Sequence, residues 1–148
     1  SLSNQAATGR FVTALTPLVK IAEKNRINLS LETDLAPQTF AELLDRFNSK
    51  HVTVNYDIGN SAALGYSLAE EIDAYGEKIS DIHLKDRVLN GGPVVLGEGC
   101  ANFNFFFNKL QEINYQGPFI MQAYRDDEGI EIFKQQLAWI MTYLRKRS

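Results

Sequence analysis

Residues 51–57 read HVTVNYD, and the alternation in these seven letters decides the fold. Val52, Val54 and Tyr56 fall on one side of an extended chain, and Thr53, Asn55 and Asp57 on the other, the period of two that marks a strand. The same alternation recurs upstream in INLSLET (27–33) and downstream in KISDIHLKD (78–86) and PFIMQAY (118–124). Between these runs the period lengthens to that of a helix. PQTFAELLDRF (37–47) opens on Pro37, suited to a first turn; SLAEEIDAYG (67–76) offers Ser67 as N-cap, and NFNFFFNKLQEIN (102–114) offers Asn102. A leading helix carries Phe11, Leu15, Leu18, Val19 and Ala22 between Gly9 and Asn25, with a kink or an early stop expected at Pro17. A closing helix from Gly129 to Lys146 carries Ile130, Phe133, Leu137, Ile140 and Leu144. The order is α(βα)4, an α/β fold whose strands, alternating with helices, form a parallel sheet with right-handed crossovers.

Strands covered by helices on both faces would read as continuous apolar runs. These do not. One face collects Ile27, Leu29, Leu31, Val52, Val54, Tyr56, Ile82, Leu84, Phe119 and Met121. The other collects Asn28, Ser30, Glu32, Thr53, Asn55, Asp57, Asp81, His83, Lys85, Gln122 and Tyr124. A closed barrel points alternate residues into its lumen and places its chemistry at the C-terminal strand ends. A full (β/α)8 barrel takes about 250 residues, so four strands are expected to be a half-barrel, completed by a missing N-terminal half or by a second copy of the chain in a homodimer.

Composition narrows the function. The 148 residues are 45% hydrophobic and 22% charged, with a net charge of −3, values that suit a soluble globular domain and not a general binder of nucleic acid or anionic membranes. The single cysteine, Cys100, excludes an internal disulfide framework and agrees with a reducing, cytoplasmic setting. No apolar run approaches the roughly 18 residues of a membrane span. NGGPVVLGEG (90–99) reads as a turn-containing loop and lacks a phosphate-cradling pattern. FNFFF (103–107) reads as helix packing, and Cys100 has no neighbouring histidine to make it a nucleophile.

Four polar-face residues stand at the C-terminal strand ends: Glu32, Asp57, His83 and Gln122, spaced 25, 26 and 39 residues apart. Each interval accommodates one crossover. Two carboxylates, an imidazole and an amide oxygen suit a divalent cation, whether Mn²⁺, Mg²⁺, Co²⁺ or Zn²⁺. Arg125, a planar guanidinium just beyond, suits a phosphate or carboxylate of a substrate.

LETD (31–34), YDIGNSAALGY (56–66), IHLKDR (82–87) with the following GG and LGEG (96–99), and GPFIMQAYRD (117–126) together resemble the sugar phosphate isomerase/epimerase family. Its members are xylose-isomerase-like (β/α)8 barrels, a group that includes metal-dependent abasic-site endonucleases. The likeness covers nearly the whole chain and corresponds to strands five to eight of a family barrel. It implies that Glu32, Asp57 and His83 are metal ligands and that a sugar or sugar phosphate is the substrate. Two departures stand out: family members usually have glutamate at Gln122 and often histidine at Asn60. An amide takes no proton from carbon, so the resemblance leaves Glu32 as base, with Lys85 or a water on the cation as the second proton carrier. Asn55, Asn60, Glu98, Gln122 and Arg125 are expected around the sugar. The rival readings are a non-catalytic sugar-binding relative that has lost an essential carboxylate, and a metal-dependent phosphodiesterase. The second is disfavoured because the chain has only His51 and His83, and His51 opens its strand at the wrong end.

Overall fold

Asn4 starts the first helix by accepting a hydrogen bond from the Ala7 N–H at 2.9 Å on its side-chain oxygen. The computed structural model describes residues 4–127 and 129–145. From that cap α1 (Gln5–Asn25) runs unbroken through Pro17 to Arg26, whose left-handed backbone ends it. The helix therefore begins earlier than the apolar spacing predicts and does not stop at the proline. Only part of its apolar stripe is covered: Val19 and Ala22 are buried, whereas Leu18 is 51% exposed.

The chain then runs through β1 (Leu29–Leu31), α2 (Pro37–Asp45), β2 (Val52–Asp57), α3 (Ile58–Leu64), α4 (Leu68–Tyr75), a 3-10 turn (Gly76–Lys78) and β3 (Ile79–Leu84). A short β4 (Asp86–Arg87) pairs antiparallel with β5 (Pro93–Val94), and α5 (Phe103–Glu112), β6 (Phe119–Met121) and α6 (Ile130–Leu144) follow. The four long-range strands form one parallel sheet in the order β1-β2-β3-β6. β1 and β6 are shorter than their alternating runs, since each pairs with one neighbour over only three residues. The expected end of the closing helix, Lys146, lies outside the described residues.

The sheet's apolar face and the helices enclose the core. Ile82, Phe106, Leu110 and Ile140 are fully buried, and Val54, Leu84, Val52 and Leu44 nearly so; each such side chain contributes about 1.5–3 kcal/mol by leaving water. The phenylalanine cluster packs as anticipated. Phe106 stacks on Tyr56 at 5.8 Å, Phe107 on Tyr143 at 5.2 Å, and Phe103 meets Trp139 edge-on at 5.1 Å. These rings tie α5 to the sheet and to α6.

A bulge sets the phase of the sheet. Val54 pairs with Ile79 but Asn55 with Asp81, leaving Ser80 extra. Ile79 and Ile82, three apart, therefore both reach the core, and His83 comes level with Asp57. Ser80 Oγ donates to Asp81 Oδ1 at 2.6 Å and lies 2.8 Å from the Thr53 hydroxyl.

Three features depart from the expected pattern. α3 was not anticipated; Asp57 caps its start and Gly65, with φ 74°, closes it. The glycine-rich loop contains the β4–β5 hairpin. Ser67 occupies the N-cap of α4 but its side chain makes no cap bond. Instead α4 turns Glu71 inward, where it is 2% exposed and accepts from the Tyr56 hydroxyl at 2.7 Å, the Tyr75 hydroxyl at 2.9 Å and Ser61 Oγ. Burial raises the Glu71 carboxyl above its ordinary range, although the three donors oppose that shift. Burial, then the Glu71 charge, holds both tyrosine hydroxyls well above theirs.

Candidate metal and active site

The parallel strands deliver Glu32, Asp57 and His83 to the same end of the polar face, where one ligand atom of each lies within 4.8 Å of the others. Glu32 follows β1, Asp57 ends β2, and His83 belongs to β3. Glu32 Oε2 is 3.5 Å from His83 Nδ1. Asp57 serves two purposes. Its Oδ1 accepts the Asn60 N–H at 2.8 Å as the cap of α3, while its buried Oδ2 has no hydrogen-bond partner among the described residues. Buried polar atoms are rarely left so. Lys85 Nζ stands 3.5 Å from that oxygen, within ion-pair range. Two carboxylates and an imidazole, one carboxylate oxygen being buried and accepting no hydrogen bond, are a donor set that a divalent cation fits.

Amides hold the other oxygens. Asn55 Nδ2 donates to Glu32 Oε2 at 2.9 Å and Asn60 Nδ2 to Glu32 Oε1 at 2.8 Å. Lys85 Nζ also donates to Gln122 Oε1, at 3.2 Å. α3 can approach this closely because of Gly59: a Cβ there would lie 2.8 Å from the Lys85 carbonyl carbon. Seven of the expected site residues, Glu32, Asn55, Asp57, Asn60, His83, Lys85 and Gln122, are thus linked by direct contacts.

Two clefts flank the cluster. One, about 510 Å³, is lined by Glu32, Thr33, Asp34, Asn60, Leu64 and Arg87. The other, about 590 Å³, includes Lys85, Gln122, Tyr124, Arg125 and Phe133, so Arg125 borders the same space as Lys85 and Gln122. Glu98 is placed elsewhere: it lines a separate cavity of about 290 Å³ with Leu96, Gln136 and Trp139. The loop that carries it is drawn back by Asp86, and the expectation of a sugar contact from Glu98 gains nothing from this placement. Cys100 is exposed and lines a cavity with Tyr66 and Phe105 on the other side of α3. His51 bonds Asn28 at 3.4 Å, at the opposite end of the strands.

Two residues of the hairpin lie outside the expected site set. Asp86, fully buried, accepts backbone N–H groups from Arg87 and Ala101 on Oδ1 at 2.9 and 3.1 Å, and from Gly97 and Gly99 on Oδ2, both at 2.9 Å. A side chain at Gly99 would collide with that carboxylate. Arg87 donates to Asn60 Oδ1 at 2.9 Å. Both were readable in outline. The alternation that puts His83 and Lys85 on the polar face continues to Arg87, and it puts a charge, Asp86, where an apolar residue belongs.

A family profile described as xylose isomerase-like TIM barrel matches residues 2–143. The chain belongs to this family. Among relatives of the xylose isomerase-like chain, a candidate L-ribulose-5-phosphate 3-epimerase of Haemophilus influenzae is 34% identical over 67% of the chain and 38% of its own length. An L-ribulose-5-phosphate 3-epimerase of Escherichia coli is 25% identical over 97% of the chain and 54% of its own. A solved xylose isomerase domain protein from Planctomyces limnophilus superposes with a TM-score of 0.85 over 99% of the chain and 56% of its own, at 21% identity. The chain therefore spans about half the length of such proteins, and its four strands are part of a barrel. No helix among the described residues is long and apolar enough to cross a membrane.

Proposed function

We propose that the protein is a sugar or sugar phosphate epimerase or isomerase that moves a proton at a carbon next to a carbonyl. The observation that carries this reading is the convergence of Glu32, Asp57 and His83, one ligand atom of each within 4.8 Å of the others, beside a buried Asp57 Oδ2 that accepts no hydrogen bond among the described residues. These three residues would hold a divalent cation, which when bound supplies charge stabilisation to the carbonyl and hydroxyl oxygens of the sugar. Glu32 takes the proton from carbon, and the C–H electron pair moves into the carbon–carbon bond as negative charge collects on oxygen. Lys85, between Asp57 and Gln122, returns a proton to carbon on the other side. Solvent then takes the proton from Glu32 and restores that of Lys85. Asn55 and Asn60 orient Glu32; Gln122 and Arg125 orient the sugar.

Charge also supports a phosphorylated substrate. The cleft with Lys85 and Arg125 is lined, among the described residues, by no carboxylate, whereas the other contains Glu32 and Asp34. The phosphate belongs in the first. In this reading the strands are five to eight of the barrel, and the open polar face is closed by further strands, from the same polypeptide or a second copy. The E. coli and H. influenzae relatives, by their names, make L-ribulose 5-phosphate the first compound to try.

The test is exchange of the sugar's α-proton with deuterated solvent, followed by NMR with full-length protein and Mn²⁺. Exchange that needs both Mn²⁺ and Glu32, lost in Glu32→Gln, is the expected result. No exchange with any phosphosugar favours the second reading, a sugar-binding relative. That reading has its own support, since Gln122 engages Lys85 through an amide oxygen where a second carboxylate would act as an acid or base.

A further inference from the structure

Arg87 is held from two sides. Its Nε and Nη2 both donate to the Gly91 carbonyl, at 2.9 and 2.6 Å, across the turn of the β4–β5 hairpin. Its Nη1 donates to Asn60 Oδ1 at 2.9 Å. A guanidinium has donors and no acceptor, so the Asn60 amide must turn its oxygen toward Arg87. The NH2 of the same amide then faces Glu32 and donates to Oε1 at 2.8 Å. Asn60 is tied to the other carboxylate as well, because its backbone N–H caps Asp57 Oδ1 at 2.8 Å.

We propose that Arg87 is a positioning residue for Glu32, acting through Asn60. By fixing which end of the amide meets the carboxylate, it holds Glu32 in one orientation for both the cation and the substrate proton. This rests on the assignment of Glu32 as ligand and base. Without Arg87 the amide is free to rotate by half a turn, and a carbonyl oxygen facing a carboxylate oxygen repels it. A direct grip on a substrate anion is the less favoured role, because three Arg87 nitrogens are engaged and its cleft also contains Glu32 and Asp34.

The experiment is a double-mutant cycle in the full-length protein with Arg87→Ala, Asn60→Ala and both together, reading the Mn²⁺ Kd by calorimetry and kcat and KM for proton exchange. Each single change is expected to weaken Mn²⁺ binding or kcat by about 10- to 100-fold, the usual effect of removing a partner that orients a ligand, with KM little changed. The double variant is expected to be no worse than the poorer single one, since the second removal has nothing left to break. Arg87→Lys should resemble Arg87→Ala, because one ammonium cannot serve Gly91 and Asn60 together. Additive losses, full rescue by lysine, or unchanged Mn²⁺ affinity and kcat in Arg87→Ala would each overturn the proposal. The Asn60 side-chain amide, observed by ¹⁵N NMR, reports the relay with no metal or sugar present. Its resonances should shift in Arg87→Ala, and an unshifted pair overturns the relay. A shifted pair in a protein that exchanges no sugar proton keeps the relay and discards the epimerase reading.

Discussion

Replacing Asp86 by asparagine isolates the role of one carboxylate in holding the loop from residue 86 to 101. The substitution keeps the shape of the side chain. It also leaves one oxygen, so two of the four backbone N–H groups keep an acceptor and two face an NH2. A hydrogen bond to a charged group contributes about 1.5–3 kcal/mol, and losing two costs about 3–6 kcal/mol before relaxation. Gly97 is exposed and Gly99 half-buried, so water recovers part of this and roughly 2–4 kcal/mol remains. The loss should appear as local opening, because the hairpin pairs over only two residues per strand while the parallel sheet keeps its own ladder. Native-state hydrogen exchange is the assay. The amides of Arg87, Gly97, Gly99 and Ala101 are expected to exchange about 30- to 900-fold faster in Asp86→Asn, the range set by 1.36 kcal/mol per factor of ten. Those of Val54, Ile82 and Leu84 should keep their wild-type rates. Unchanged protection at the four loop amides would refute the reasoning, and so would acceleration spread evenly over the strands.

Two other perturbations follow from the buried carboxylates. Asp57→Asn retains an oxygen for the Asn60 N–H and should leave the metal-free protein nearly as stable, yet it should abolish thermal stabilisation by Mn²⁺. The wild type is expected to gain about 2.7 kcal/mol at a hundred times the Kd; an equal gain in the variant removes Asp57 from the cation site. For Glu71, burial raises the folded-state pKa above the ordinary 4.5. Its contribution to stability is therefore fully present below the unfolded value and is lost as pH rises through the folded one. In urea titrations between about pH 4 and 8, the wild type should lose ground relative to Glu71→Gln as pH rises. A difference that moves in the wild type's favour over that window contradicts the assignment.

Much of the architecture was legible because half-buried strands carry a period of two. Val52, Val54 and Tyr56 point to the core as their spacing requires, and Glu32, Asp57 and His83 meet because parallel strands align their C-terminal ends. Elements too short to show a period were illegible. α3 has seven residues, and only its Asp57 cap and Gly65 close hint at it. Glu71, in the run Glu70-Glu71, reads as a solvated face; Tyr75 lies one helical turn on, but Tyr56 and Ser61, fifteen and ten positions away, belong to other elements and leave no local pattern. The hairpin escaped notice because polar bonds organise it. Asp86 gathers backbone groups as far as fifteen positions away, a pairing that leaves no mark on hydrophobic spacing.

The Asp86 anchor also bears on how such a site can diversify. Its four acceptor bonds go to main-chain N–H groups, so apart from Gly97 and Gly99, where a side chain would collide with Trp139 or with Asp86 itself, the anchor constrains the course of the loop more than its side chains. Val88 and Leu89 at the hairpin tip are exposed and take no part in it. The side chains at Val88 and Leu89 can drift or acquire new contacts while Lys85 and Arg87 stay in place, whereas an insertion in the turn would move the Gly91 carbonyl that holds Arg87. In the proposed epimerase reading, the proton carrier Lys85 and a variable tip thereby share one short segment yet are open to separate selection.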